Sequence, residues 1–299
     1  MQDVFAPIRS FLFVPGDSVR KQEKSLGSGA DAIILDLEDS VAQENRTKAR
    51  EICATFLKAK RQAGLQYWVR INPLDTEDAA LDIAALAHLA PDGIVLPKAA
   101  GPDDCLALSK ALDKAEQQAG LGQGSIKILP ITTETASAPF RLGAYCDADL
   151  PRLYGLSWGA EDLAAALGAA TNKAVDGSLA ITYKMVRSMA LLAARGAGGQ
   201  PVETVYTDFR DTEGFAAYCA AAYSEGFTGC FAIHPAQVPI INTGFMPNAA
   251  SIAHAKNVIA AFDGVGSQGV ASLDGQMLDK PHLVQAKQIL AMMRIYAKK

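Results

Sequence analysis

Short apolar, β-branched runs alternate along this chain with stretches whose apolar residues recur at helical spacing. The runs are FLFVP (Phe11 to Pro15), AIILDLED (Ala32 to Asp39), YWVRIN (Tyr67 to Asn72), GIVLPK (Gly93 to Lys98), IKILPITTE (Ile126 to Glu134), LYGLSWG (Leu153 to Gly159), ETVYTDF (Glu203 to Phe209) and CFAIHP (Cys230 to Pro235). Between them lie helical patterns, for example Lys48 to Ala63, Pro102 to Ala119 and Ile181 to Ala194. Near-continuous apolar strands suit a parallel sheet buried on both faces. Eight of them alternating with helices predict an α/β fold of the closed (β/α)8 TIM-barrel type. A doubly wound open sheet is the weaker alternative, because no G-x-G-x-x-G follows the first strand and no P-loop is present.

Beyond His234-Pro235 the pattern changes. A helix is expected over Asn248 to Phe262, then a glycine-rich linker over Asp263 to Gly269, then a short turn and a final helix. The eight strands are already used, so the expected division is a catalytic barrel over 1–247 and a C-terminal helical extension over 248–299. A glycine-rich hinge before a tail suits a lid or an arm reaching a neighbouring subunit.

The 299 residues, 49% of them hydrophobic, suffice for one large core. A net charge of -4 and a pI near 5.6 give no reason to expect nucleic-acid binding. No apolar stretch approaches the roughly 18 residues of a membrane span, and MQDVFAPIRS lacks the n-region and apolar core of a signal peptide. A cytoplasmic protein is expected. Cys53, Cys105, Cys146, Cys219 and Cys230 are odd in number and scattered, which fits reduced thiols.

In a parallel barrel the strand ends converge on one rim, where the chemistry is done. Glu134 closes the fifth run, Asp162 lies just beyond the sixth and Arg70 sits near the end of the third. Two carboxylates and an arginine on that rim suggest a hard divalent cation holding an acidic substrate. The four histidines are dispersed, so nothing points to zinc. A guanidinium inside YWVRIN needs a partner, which a carboxylate or thioester oxygen in the barrel mouth would supply. Asp36 and Glu38 share a face of the second strand, while Asp39 turns away or enters the loop. These acids fit either capping of the next segment or support of a metal site. Arg9, Arg20 and Lys24 form a sparse basic set around the first strand and helix. That set fits either a solvated face or contact with the phosphates of a large acyl carrier.

These residues fall in segments that carry a resemblance: R-S-F-L-F-V-P-G, D-A-I-I-L-D-L-E-D-S-V, V-R-I-N, V-L-P-K, T-E-T-A, W-G-A-E-D-L, A-I-H-P-A-Q and D-G-Q-M-L-D-K-P. In this order and spacing, from about Arg9 to Gln285, the chain resembles the citrate lyase beta subunit and its CitE-like relatives. These include malyl-CoA and citramalyl-CoA lyases of the HpcH/HpaI aldolase superfamily. The resemblance implies a TIM barrel with a mobile C-terminal segment in a homo-oligomer, a trimer or hexamer. It implies Mg2+, or Mn2+ in its place, on Glu134 and Asp162, with Glu134 also bordering the substrate. Arg70 is implied to contact the oxo-acid or thioester oxygens. Glu38 and Asp39 fall in the family's acidic second-strand motif, and Arg20 and Lys24 match positions that hold CoA phosphates. Asp279, in M-L-D-K-P, falls where relatives carry an acid from a neighbouring subunit's lid. Cys230 stands where the family often has a lysine, with an altered contact expected near the rim. Thr132-Thr133 replaces a more apolar pair.

The implied reaction is metal-dependent cleavage of a 3-hydroxyacyl-CoA thioester, of citramalyl-CoA or malyl-CoA type, to an oxo-acid and acetyl-CoA. Alternatives are a citrate lyase beta subunit acting on a citryl thioester inside a complex, a non-catalytic accessory subunit, and a CoA-independent pyruvate-type aldolase. Lys98, ending the fourth run, is the candidate for a Schiff-base aldolase. That reading leaves Glu134 and Asp162 without a shared role.

Overall fold

The computed structural model describes residues 7–59, 61–265 and 269–296, and these form two compact units. The first, Ile8–Gly244, contains eight parallel strands: β1 (Ser10–Pro15), β2 (Ala32–Asp36), β3 (Gln66–Arg70), β4 (Gly93–Leu96), β5 (Lys127–Pro130), β6 (Gly155–Ser157), β7 (Gln200–Glu203) and β8 (Gly229–Ala232). Sequence neighbours pair all along the sheet except at β5 and β6, its two ends, and β1 pairs with β8. The bridges Ile128↔Leu153 and Ile131↔Ser157 join the two ends of the sheet. Tyr154 N–H donates to Ile128 O at 2.9 Å and Thr132 N–H to Ser157 O at 2.9 Å across that seam. The expected (β/α)8 barrel is what forms.

The strands bury Phe11, Ala32, Ile34, Trp68, Val95, Leu129, Val202 and Phe231 in one interior cluster. Phe11 meets Trp68 and Phe231 edge-on, with ring centroids 5.7 and 5.8 Å away. Gly93 lets β4 approach: a Cβ there would lie 2.2 Å from the Trp68 ring. Outside the sheet run α1 (Val19–Ser25), α2 (Arg46–Lys58), α3 (Glu77–Leu86), α4 (Pro102–Ala119), α5 (Ala160–Ala166), α6 (Ile181–Gly196), α7 (Thr212–Glu225) and α8 (Gln237–Gly244). Helix α4 matches its expected span, α6 continues to Gly196 and α2 ends five residues early, at Lys58.

The seventh strand is displaced from its expected span. It starts at Gln200, whose N–H pairs with Tyr154 O at 2.9 Å, and ends at Glu203, leaving Thr204 to Phe209 as loop. Pro201 lacks an N–H and reads as a strand breaker. Here its carbonyl accepts from Thr228 N at 3.1 Å. Glu203 therefore stands at the C-terminal rim and not at the strand's beginning.

The second unit holds Pro7 and residues 245–296. Helix α9 (Ala249–Val265) runs three residues past Phe262, into the expected linker. Gly266-Ser267-Gln268 of that linker lies outside the described residues. The expected turn is an antiparallel hairpin of β9 (Ala271–Leu273) and β10 (Gln276–Leu278), followed by α10 (Lys280–Tyr296). Ala255, Val258, Phe262, Ala271, Leu278 and Ala286 form its own small core. No helix among the described residues is long and apolar enough to cross a membrane.

Candidate functional site

Parallel register decides which side chains meet at the rim. Asp36, last in β2, is the register partner of Arg70, last in β3. The Arg70 fork closes on the Asp36 carboxylate, Nε to Oδ1 at 2.7 Å and Nη2 to Oδ2 at 2.8 Å. Its remaining Nη1 lies 3.0 Å from Glu38 Oε2 and 3.4 Å from Asp39 Oδ2, and the guanidinium stacks 4.6 Å from the Phe13 ring centroid. Burial alone would raise Asp36, but the Arg70 charge and hydrogen bond outweigh it and hold the carboxyl below its ordinary range. Arg70 is correspondingly fixed as a cation. Its first partner is thus a carboxylate of its own barrel, and Nη1 is the edge left facing the mouth.

The loop after β2 is braced from behind. Asn72 Nδ2 donates to Leu37 O at 3.0 Å and to Asp82 Oδ2 at 2.8 Å, and Leu37 N–H donates to Arg70 O. Glu38 is buried and Asp39 exposed, but Leu37 between Asp36 and Glu38 is buried too. Glu38 and Asp39 both face Arg70 and Lys98, so Asp39 enters the loop without turning away from the site.

Lys98, two residues beyond β4, has φ +51, a left-handed backbone that costs a side-chain-bearing residue about 1 kcal/mol or more. That conformation aims both its nitrogens into the site. Its N–H donates to Glu134 Oε2 at 2.5 Å, and its ammonium donates to Glu38 Oε1 and lies 3.4 Å from Asp162 Oδ1. Burial disfavours the ammonium, but the Glu38 hydrogen bond and the charges of Glu38, Glu134 and Asp39 raise its pKa above the ordinary value. A protonated amine held by carboxylates is not a Schiff-base nucleophile, and the geometry opposes that alternative.

Glu134, four residues past β5, is buried. Gly159 presses against it: a Cβ there would lie 2.7 Å from Glu134 Cγ. Gly159 N–H donates to Thr133 Oγ1 at 3.0 Å, so a threonine at 133 ties β5 to the β6 loop where an apolar residue could not. Burial pushes the Glu134 carboxyl up to about 8, with the charges of Asp162 and Glu38 adding to it and the Lys98 N–H pulling the other way. Asp162 lies in the first turn of α5, where a carboxylate is favoured, and is about one-third exposed.

The rim therefore gathers Asp36, Glu38, Asp39, Glu134 and Asp162 against the two cations Arg70 and Lys98. Burial first, and then the charges of Asp162 and Glu38, raise Glu134, and a further cation beside it would favour its carboxylate. Among the described residues no group of three or more His, Cys, Asp or Glu is arranged to hold a metal. The all-oxygen pair Glu134 and Asp162 nevertheless fits a hard divalent ion, which takes one or two carboxylates and completes its shell with water and substrate oxygens.

Arg20 and Lys24 lie on α1, which follows β1; both are exposed, and no ion pair engages either among the described residues. Arg9 does not belong with them. It precedes β1, at the opposite end of the barrel, with Nε and Nη2 on Asp31 at 2.9 and 3.0 Å. Cys230 is also not at the rim. It is fully buried, its thiol contacts Cys219 of α7 and donates to Thr204 O at 3.2 Å, and burial pushes it far above the ordinary range. In the second unit, Asp279 precedes α10, and His282 Nδ1 lies 2.5 Å from its Oδ1.

The HpcH/HpaI aldolase/citrate lyase family model matches residues 9–235. The chain belongs to that family. Among its relatives, the (3S)-malyl-CoA thioesterase of Cereibacter sphaeroides (strain KD131 / KCTC 12085) is 38% identical over 287 residues, covering 95% of this chain and 94% of that protein. The citrate lyase subunit beta of Haemophilus influenzae is 33% identical over 285 residues, covering 94% and 95%. The crystal structure of CitE from Mycobacterium tuberculosis in complex with magnesium, acetoacetate and coenzyme A superposes with a TM-score of 0.79 at 30% identity, covering 96% of this chain and 99% of that one. RipC from Yersinia pestis superposes with a TM-score of 0.66 at 30% identity, covering 83% and 99%. Members of the HpcH/HpaI family thus include proteins named as thioesterases and as lyase subunits.

Three features of the site have no counterpart in sequence patterning. The Asp36 clamp on Arg70 depends on β2–β3 register. The role of Lys98 as counter-ion depends on a left-handed backbone. Glu203 accepts from the Trp158 indole at 2.6 Å and from Arg187 Nε at 2.7 Å, and reaches the rim only because β7 begins earlier than its β-branched run suggests.

Proposed function

We propose that this HpcH/HpaI-family chain is a magnesium-dependent carbon–carbon lyase. Its substrate would be a 3-hydroxyacyl-CoA thioester of the citramalyl or malyl type, and its products an oxo-acid and acetyl-CoA. The observation that carries this reading is the convergence of Glu134, Asp162 and the Asp36-clamped Arg70 on one rim. Magnesium and coenzyme A in the CitE complex support it.

Glu134 and Asp162 would hold the ion, which when bound supplies Lewis-acid polarisation of substrate oxygens. Arg70 is pre-oriented by Asp36 and offers Nη1 to oxygens that gain negative charge as the carbon–carbon bond breaks. Glu38 and Asp39 limit how far that edge can swing. Lys98 donates its ammonium to Glu38 and its backbone N–H to Glu134, holding both carboxyl groups in place. Arg20 and Lys24 would contact the CoA phosphates. Asp279 would exchange the proton with the enolate carbon, carried on the 248–299 extension of a neighbouring copy in a trimer or hexamer.

A second reading, hydrolysis of the thioester, is favoured by the 38% identity to the malyl-CoA thioesterase. One experiment separates the two: incubate the purified chain with malyl-CoA and (S)-citramalyl-CoA, with Mg2+ and then with EDTA. Metal-dependent glyoxylate or pyruvate with acetyl-CoA is the expected outcome. Free malate with free CoA and no acetyl-CoA would replace the lyase reading by hydrolysis. No turnover of either thioester would move the chain toward a subunit role on a citryl thioester.

A further inference from the structure

We infer that Trp158, Glu203 and Arg187 form a buried positioning chain that sets the loop carrying Gly159 and Asp162 against Glu134. The inference rests on the proposal that Glu134 and Asp162 hold a divalent cation. Trp158 follows β6 directly, and its ring is fully buried. Its indole N–H donates to Glu203 Oε1 at 2.6 Å, and the same oxygen accepts from Thr204 N–H at 2.9 Å. Glu203 Oε2 accepts from Arg187 Nε at 2.7 Å, and the Tyr218 hydroxyl also hydrogen-bonds this carboxylate. Arg187 stacks over the Phe227 ring, 4.6 Å from its centroid, and its Nη1 reaches Glu225.

A buried ion pair adds little net stability compared with apolar residues of similar volume. Packing alone would bury an indole, but it does not specify where the indole N–H finds its acceptor. A charge-assisted hydrogen bond to a carboxylate that is itself pinned by Arg187 fixes the depth and rotation of the ring. The next residue is Gly159, the piece of chain that touches Glu134 and that Thr133 Oγ1 holds from the other side. Asp162 follows one helical turn later, in a helix that starts at Ala160. The position of the loop relative to Glu134 is thus set from the indole. Supports of this kind behind a metal ligand are worth about 10- to 100-fold in metal affinity.

The test reads Mn2+ binding by the loss of the free-ion EPR signal, alongside thermal unfolding of the apoprotein. Two double variants separate positioning from the charge pair. Glu203→Gln with Arg187→Met keeps an oxygen acceptor for the indole and leaves no buried charge unpaired, since Glu225, the other partner of Arg187, is half-exposed. Glu203→Leu with Arg187→Met removes the acceptor. The first is expected within about threefold of the parent in Mn2+ affinity and the second about tenfold weaker, with similar midpoints of unfolding. Equal Mn2+ affinity in the two doubles overturns the positioning role. Should the leucine variant fail to fold, Trp158→Phe keeps an aromatic ring and removes the donor together with part of the indole's volume. It is expected to bind about tenfold more weakly, and parental affinity would overturn the inference. The metal reading fails separately: a parent that binds no Mn2+, or a Glu134→Ala variant that binds it as well as the parent, rejects the site itself.

Discussion

At the scale of single residues, the site works by making each cation serve several carboxylates. Arg70 spends two donors on Asp36 and offers the third to Glu38 and Asp39. A lysine cannot reproduce that fork. Arg70→Lys should lower kcat about 10²-fold or more with a smaller change in KM, as loss of a pre-oriented donor does, and steady-state kinetics on malyl-CoA would check it. Gly159→Ala should displace Glu134, because the new methyl group would meet its Cγ at 2.7 Å. The expected outcome is about tenfold weaker Mg2+ affinity by calorimetry with the barrel still folded; unchanged affinity would mean that the contact relaxes at no cost to the site. The residue types were legible in the sequence: Glu134, Asp162 and Arg70 stand at the ends of apolar runs. Asp36's hold on Arg70 was not, because the partner of a guanidinium is set by strand register.

At the scale of elements, the barrel is locked by polar clamps outside the sheet as well as by its apolar core. Arg152, between β5 and β6, holds Glu116 of α4 through Nη1–Oε1 at 2.8 Å and Nη2–Oε2 at 2.6 Å, with both side chains almost fully buried. Burial raises the Glu116 carboxyl, but Arg152, the Ile126 and Gly124 N–H groups and Ser125 outweigh it, bringing it from the ordinary 4.5 down to about 2. A depressed folded-state pKa means that the stabilisation is complete above the unfolded-state value and disappears as pH falls from about 4.5 toward about 2. Glu116→Gln should therefore be less stable than the parent by about 3 kcal/mol at neutral pH. Urea titrations at a series of pH values should show the two curves converging in strongly acidic solution. A constant difference down to the lowest pH would reject the clamp. The elements themselves were legible because apolar runs and helical spacing are local. The β7 boundary was not, because Pro201 reads as a breaker although its carbonyl completes the ladder.

At the scale of the whole molecule, the chain divides into Ile8–Gly244 and a smaller unit from Phe245 onward that joins Pro7. The proposed assembly makes a prediction that belongs to this scale. Asp279→Ala and Arg70→Ala should each depress turnover. After verified subunit exchange a mixture should recover activity, since some sites then combine an intact barrel with an intact extension. No recovery would confine Asp279's action to its own chain.

The sequence by itself determined the barrel, its family and the residue types at the rim, because strand periodicity, buried runs and ordered short motifs are encoded locally. Tertiary structure alone decided what those residues do to one another. The parallel register puts Asp36 opposite Arg70, the left-handed turn at Lys98 aims its nitrogens at Glu38 and Glu134, and the early start of β7 carries Glu203 under Trp158. Each is a meeting of residues tens of positions apart, fixed by the sheet's hydrogen bonds and by the burial of charge, which no pattern along the chain displays.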